Sequence, residues 1–251
     1  MELAVEKSSA DEQKHVQDVS NDYRLIYPFK HVDSEAQKTY VDRQKSVLTI
    51  KNFIDKHSDT DVFDAVMFSL SYIKDECGIT YENGLFMDCM GFSGAASFYA
   101  IPFGFKSILG VEYSSVGLER AELIKRHRLP SLKTDTKLTF EYGSFQNFFE
   151  YGAQVVFLDC TAASKDSMLD EGVLLQALFF PLCQRLQSGT YLIIVTLGTS
   201  LTTADCAALG FEEFTHVYSK PLIPLGKYRD SDRQRYPKMI WILRSKHFMG
   251  K

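Results

Sequence analysis

A chain of 251 residues with 45% hydrophobic and 24% charged side chains is long enough to bury one large core without a disulfide or metal staple. No apolar run reaches the ~18–20 residues of a membrane span, and the opening MELAVEKSSADEQKH lacks the apolar stretch of a signal peptide; an intracellular protein is expected. The five cysteines form no C-x-x-C and the six histidines no H-x₃₋₅-H pair, which excludes a disulfide framework and a zinc ribbon and predicts no metal site.

Residues 1–22 are polar, rich in Glu, Lys, Ser and Gln, and read as a disordered tail. Residues 23–80 read as a helical region. A first helical pattern runs through Tyr40, Val47, Leu48, Ile50, Phe53 and Ile54. A second, which Asp61 could cap, runs through Val62, Phe63, Val66, Met67, Leu70 and Ile73. The period then changes. Short apolar runs at 85–87, 108–111 and 155–158 end in Asp88, Glu112 and Asp159, and a fourth run spans 191–195. Helical stretches at 94–101, 115–127 and 169–187 separate them. Two further strands are expected at 214–218 and 239–243, joined by a loop over 219–238.

Continuously apolar strands separated by helices mean a parallel sheet covered on both faces. Ligands in such sheets bind beyond the carboxyl ends of the strands, so acids at three strand ends point to a ligand with hydroxyls or amines. The segment 85–114 is the most informative. A strand ends in Asp88, a turn carries Gly91 and Gly94, and small residues open a helix before a second strand ends in Glu112. Glycines let backbone approach a ligand, and an acid at the second strand end can accept from both ribose hydroxyls. This is the layout of a nucleoside-cofactor site. The turn lacks G-x-G-x-x-G, the pyrophosphate fingerprint. Asp88 suits a cofactor with an ammonium group, and a terminal antiparallel hairpin ends class I methyltransferases rather than nicotinamide domains. S-adenosyl-L-methionine (SAM) is therefore the expected cofactor. The expected fold is α/β: a seven-stranded, mostly parallel sheet with a C-terminal antiparallel hairpin, helices on both faces and N-terminal helices before it, with the SAM-binding domain over 81–251.

The same segment resembles the Dot1-type histone lysine methyltransferases. FMDCMGFSG (Phe86 to Gly94) is similar to the family's F-h-D-L-G-S-G-V-G, and LGVE (Leu109 to Glu112) to its Y-G-V-E. GSF (Gly143 to Phe145) is similar to its G-D-F after a third strand, and VVFLDCT (Val155 to Thr161) to its strand ending V-N-N. The likeness covers about residues 60–200. Here Met90 and Phe92 stand where the family has glycines, Ser144 where it has Asp, and Asp159-Cys160-Thr161 where it has the Asn pair. The resemblance implies a methyl transfer from SAM to a protein lysine, histone H3 in a nucleosome, in the nucleus. It implies that Asp88, Cys89, Met90, Gly91 and Gly94 line the methionine and ribose end and that Glu112 holds the ribose, with Tyr113 beside it. By the same resemblance Ser144 and Phe145 meet the adenine, and Asp159 and Thr161 stand where the methyl leaves. Cys160 reads as a small buried filler.

Net charge is −4, yet residues 220–251 hold nine lysines and arginines against Asp230 and Asp232. The loop 219–238 carries Lys227, Arg229, Arg233 and Arg235 beside Tyr228 and Tyr236. In a class I fold this loop emerges on the cofactor rim, where a basic, aromatic segment suits nucleosomal DNA, an acidic histone partner or RNA; a solvated face has the same composition. Two other readings stand beside the first: a class I methyltransferase for RNA or a small molecule, and a degenerate class I module that binds without catalysis.

Overall fold

The computed structural model describes residues 34–57, 62–89, 93–132, 134–148, 151–160, 185–197, 214–222 and 238–245. Two helices come first, α1 (Ser34–His57) and α2 (Phe63–Asp75). They precede β1 (Leu85–Cys89), α3 (Ala95–Ala100), β2 (Ser107–Glu112), α4 (Ser115–Arg128) and β3 (Lys137–Tyr142). The remaining strands are β4 (Val155–Asp159), β5 (Tyr191–Leu197), β6 (Phe214–Leu222) and β7 (Lys238–Ser245).

The seven strands lie in the order β3-β2-β1-β4-β5-β7-β6. The pairs from β3 to β5 are parallel, and β7 runs antiparallel to both β5 and β6. This is the expected mixed sheet with its terminal hairpin. Both hairpin strands are longer than their apolar runs suggested. Pairing carries β6 to Leu222 opposite Lys238, so residues 219–222 are strand and not loop. β3 has no continuous apolar run, because Lys-Leu-Thr-Phe-Glu-Tyr alternates like a strand solvated on one side. The expected cap of α2 also differs. Val62 occupies the N-cap position with no side-chain hydrogen bond, and Asp61 lies outside the described residues. Of the helix expected at 169–187, only 185–187 are described, and they are turn and coil.

Alternation along each strand divides the core into two layers. Phe86, Ile108, Leu138, Val155, Phe157, Ile193 and Ile242 point to one face, where α1, α2, α3 and α4 pack. Met87, Cys89, Leu109, Val111, Val156, Leu158, Leu192 and Trp241 form the other layer with Phe145. Burial on both faces is what makes the central strands apolar throughout. Each large side chain taken out of water contributes about 1.5–3 kcal/mol. Tyr81 locks the helical layer to the sheet. Its hydroxyl donates to the Leu70 carbonyl of α2 at 2.8 Å while its ring stacks on Phe105 at 4.3 Å. Burial drives the phenol's pKa far above the usual tyrosine value, so this donor stays protonated at every working pH.

Among the described residues no helix is long and apolar enough to cross a membrane, and no group of three or more His, Cys, Asp or Glu side chains could hold a metal ion.

Candidate functional site

The strand order reverses at β1, which has β2 on one side and β4 on the other. A cleft beyond the carboxyl ends of the strands is expected at such a switch point. Asp88 of β1 pairs with Gly110 of β2 and Phe157 of β4. Glu112 and Asp159 stand two residues further along those neighbours, about 6–7 Å higher at ~3.3 Å per residue. By the same alternation all three acids belong to the face that α3 and α4 cover. They form a notch with Asp88 at its base and a carboxylate on each shoulder. All three are buried: Asp88 is 1%, Glu112 5% and Asp159 8% exposed.

Each acid is held in its own way. One oxygen of Asp88 accepts from the backbone N–H of Ser97 at 3.0 Å and from its hydroxyl at 2.9 Å. Ser97 lies in the first turn of α3, so this clasp ties the helix start to the strand end across the glycine turn. Burial raises the Asp88 pKa to about 7. The two Ser97 hydrogen bonds oppose that shift, and the negative charges of Asp159 and Glu112 add to it. The notch is thus a concentration of negative potential that a cation would relieve. One oxygen of Glu112 accepts from the Ser114 N–H at 2.7 Å, and the Ser114 hydroxyl caps α4 by accepting from Gly117 N–H at 3.3 Å. The carboxylate therefore sits at the amino end of a helix, where a negative charge is favoured.

Two glycines shape the wall. Gly94 caps α3 in the left-handed region at φ +67°. A Cβ there would come within 2.5 Å of the Phe140 ring, and a Cβ at Gly110 within 2.4 Å of the same ring. Phe140 of β3 thus fills the space that both glycines leave open and packs beside Phe98 of α3 at 5.7 Å.

The other expected site residues fall as follows. Cys89 is fully buried in the opposite layer with Met87 and Leu158; burial pushes its thiol pKa well up, so its side chain is filler. Tyr113 is 65% exposed beside Glu112. Ser144 is exposed and stands at the cap of a 3₁₀ turn (Phe145–Asn147), where its carbonyl accepts from Asn147 at 3.0 Å. Phe145 is buried in the second layer. Met90, Gly91, Thr161, Lys227, Arg229, Arg233 and Arg235 lie outside the described residues. From sequence, Ser97 reads only as one of the small residues, with Ala95 and Ala96, that open the helix and let it pack on the strand, and Phe140 has no role. The signal for Ser97 was a lone polar residue in the apolar helix Ala-Ala-Ser-Phe-Tyr-Ala; nothing local marked Phe140.

No family model matches the chain, and no curated protein matches it. Solved structures do. A SAM-dependent methyltransferase from Methanosarcina mazei superposes with a TM-score of 0.54 at 13% identity, over 69% of this chain and 98% of that one. This chain has the class I methyltransferase fold. The YcgJ protein of Bacillus subtilis gives a TM-score of 0.51 at 9% identity, over 73% and 98% of the two chains. SMU.776, a candidate methyltransferase solved in complex with SAH, gives 0.51 at 12% identity over 73% of this chain. The present chain spans half the length of SMU.776.

Proposed function

We propose that this chain is a SAM-dependent methyltransferase with its cofactor seated in the notch between Asp88, Glu112 and Asp159. The observation that carries the reading is this rim of three buried carboxylates at the switch point, beside a left-handed glycine that opens a helix. The chemistry of the notch fits SAM better than a dinucleotide. A pyrophosphate would meet three acids, whereas a sulfonium and an ammonium supply the opposite charge that a buried Asp88 beside Asp159 and Glu112 lacks. The solved neighbours support the reading, SMU.776 being complexed with SAH.

In this reading SAM supplies a methyl already activated for in-line displacement, so the protein's task is positioning rather than acid–base work. Glu112 accepts from the ribose hydroxyls, held in place by Ser114. Asp88 faces the cationic end and, through Ser97, sets the position of the turn ahead of α3. Asp159 stands at the edge where the methyl leaves. Tyr113 and Ser144 flank the adenine. The buried Phe145 supports that side from below.

The lysine acceptor implied by the Dot1 resemblance is not favoured: none of the three similar structures is named for a histone or a lysine. The Asp-Cys-Thr at 159–161 also departs from the Asn pair that this family carries beside its acceptor. An acceptor of another class, a nucleic acid or a small molecule, is the better reading. A degenerate module that no longer binds SAM is separated by calorimetry. The full chain titrated with SAM should release or absorb heat with one-to-one stoichiometry, and the absence of both heat and thermal shift would reject the enzyme reading.

Glu112→Gln keeps the shape of the side chain and removes its charge. Loss of a charge-assisted acceptor costs roughly 1.5–3 kcal/mol, so SAM affinity should fall at least about ten-fold with little change in thermal midpoint. An unchanged affinity would take the ribose away from Glu112.

A further inference from the structure

A groove of about 730 Å³ runs along β1, β2 and β3 on the face opposite the helices, starting at the amino ends of the strands. Its origin is visible in the residues. β3 turns Leu138 and Phe140 to the core, so Lys137, Thr139 and Glu141 face the other way, and Thr139 and Glu141 line the groove with Leu109 of β2. Among its described residues the β3–β4 link holds a 3₁₀ turn (Phe145–Asn147) and no long helix, and the groove lies beside it. The same link supplies the wall. Its 3₁₀ turn sends Phe145 into the core and leaves Phe148 and Tyr151 stacked along the groove, with ring centroids 5.8 Å apart at 22°. Tyr151 is 64% exposed.

Two exposed lysines stand at the amino end. Lys106 and Lys137 are joined through their backbones, the Lys137 N–H donating to the Lys106 carbonyl at 3.1 Å, and both line the groove. At the other end Glu141 precedes Tyr142, which is paired with Glu112. The groove therefore runs from two cations, past an aromatic wall, to Glu141, on the sheet face opposite the one that carries Asp88, Glu112 and Asp159.

We propose that this groove binds a single strand of RNA, docking the substrate on the face of the sheet behind the notch, an assignment of substrate class that rests on the methyltransferase reading. Lysines meet phosphates, and an aromatic wall stacks bases without regard to sequence. Glu141 repels a phosphate and accepts from a base amine, so it favours a base over backbone at the carboxyl end of the groove. A protein partner of acidic character would satisfy the lysines and leave the aromatic wall without a purpose.

The test is fluorescence polarisation of a labelled single-stranded RNA oligonucleotide of mixed sequence, titrated with the full chain at several salt concentrations. The wild type should bind, with affinity falling as salt rises. Lys106→Ala/Lys137→Ala should weaken binding and flatten the slope of log K against log salt by about 0.7 for each lysine. Tyr151→Ala should weaken binding at least about five-fold with the slope unchanged. A wild type that does not bind RNA would overturn the proposal, as would variants that keep both affinity and slope, or a polyglutamate peptide that binds more tightly than RNA. SAM calorimetry on the same preparations keeps the two readings apart. RNA binding that responds to the variants in a protein that gives no SAM heat would support the groove and remove the enzyme.

Discussion

Asp88→Asn should raise the thermal midpoint of the free protein at pH 8 by about 5–10 °C and at the same time weaken its hold on SAM. The carboxyl of Asp88 ionises near 3.8 in the unfolded chain and near 7 in the folded one. Between those values the folded state binds the extra proton, so stability falls as pH rises through this window. Above pH 7 the full cost is present, about 4 kcal/mol for a difference of this size. Asparagine carries no charge to desolvate, and its carbonyl still accepts from Ser97. For a chain of this length each kcal/mol moves the midpoint by about 2–4 °C, and part of the gain is lost to imperfect geometry.

The advantage of the variant should shrink steadily as pH falls toward 4 and vanish only below the unfolded value of 3.8, where both states of the wild-type acid are neutral. SAM affinity of the wild type should rise with pH through 7, because a cationic ligand favours ionised Asp88, and the variant should lack that rise. Thermal scans and calorimetry at pH 5 and pH 8 check both halves. A variant less stable than wild type at pH 8 would mean that the carboxylate is worth more to the fold than its burial costs. An acid kept at such expense is the pattern of a site that trades stability for binding.

The second large effect is at the glycine pair that clasps Phe140. Gly94→Ala should destabilise the protein by about 2–4 kcal/mol. The left-handed backbone costs a residue with a Cβ roughly 1–2 kcal/mol, and overpacking adds about 1–3 kcal/mol, because the new carbon falls 2.5 Å from the Phe140 ring and 3.2 Å from Ala121. Gly110→Ala meets the ring at 2.4 Å with no φ penalty, so about 1–3 kcal/mol is expected. Phe140→Ala separates the two causes in a double-mutant cycle. On that background Gly110→Ala should become nearly neutral, while Gly94→Ala should keep the cost of its backbone. Chemical denaturation of the three single and two double variants reads this out. Equal costs on both backgrounds would show that the ring is not what constrains these glycines. Both positions border the notch, so loss of SAM affinity should accompany loss of stability at Gly94 more than at Gly110.

Much of the frame was legible in one dimension. Runs such as Val155–Leu158 and Tyr191–Val195 are apolar without alternation because both faces of those strands are covered, and an acid at the last or next-to-last position of each of three strands marks the rim. The limits of reading are equally physical. β3 shows a two-residue alternation because one of its faces is half-solvated, and a short alternating run is easily passed over beside four apolar ones. The partners of the acids were not legible. Ser97 reaches Asp88 only because α3 folds back on β1, and Phe140 meets Gly94 and Gly110 only because β3 lies beside β2.

Composition and periodicity by themselves determined a parallel α/β sheet with a terminal hairpin and placed Asp88, Glu112 and Asp159 at strand ends, since hydrophobic pattern is a local consequence of burial. Only the tertiary structure decided that the three acids share one face at the reversal point, that Asp88 titrates near neutrality, and that a lysine-flanked groove lies on the opposite face. Those properties depend on distances between strands far apart in the chain, and charge coupling and concavity exist only once the strands are side by side.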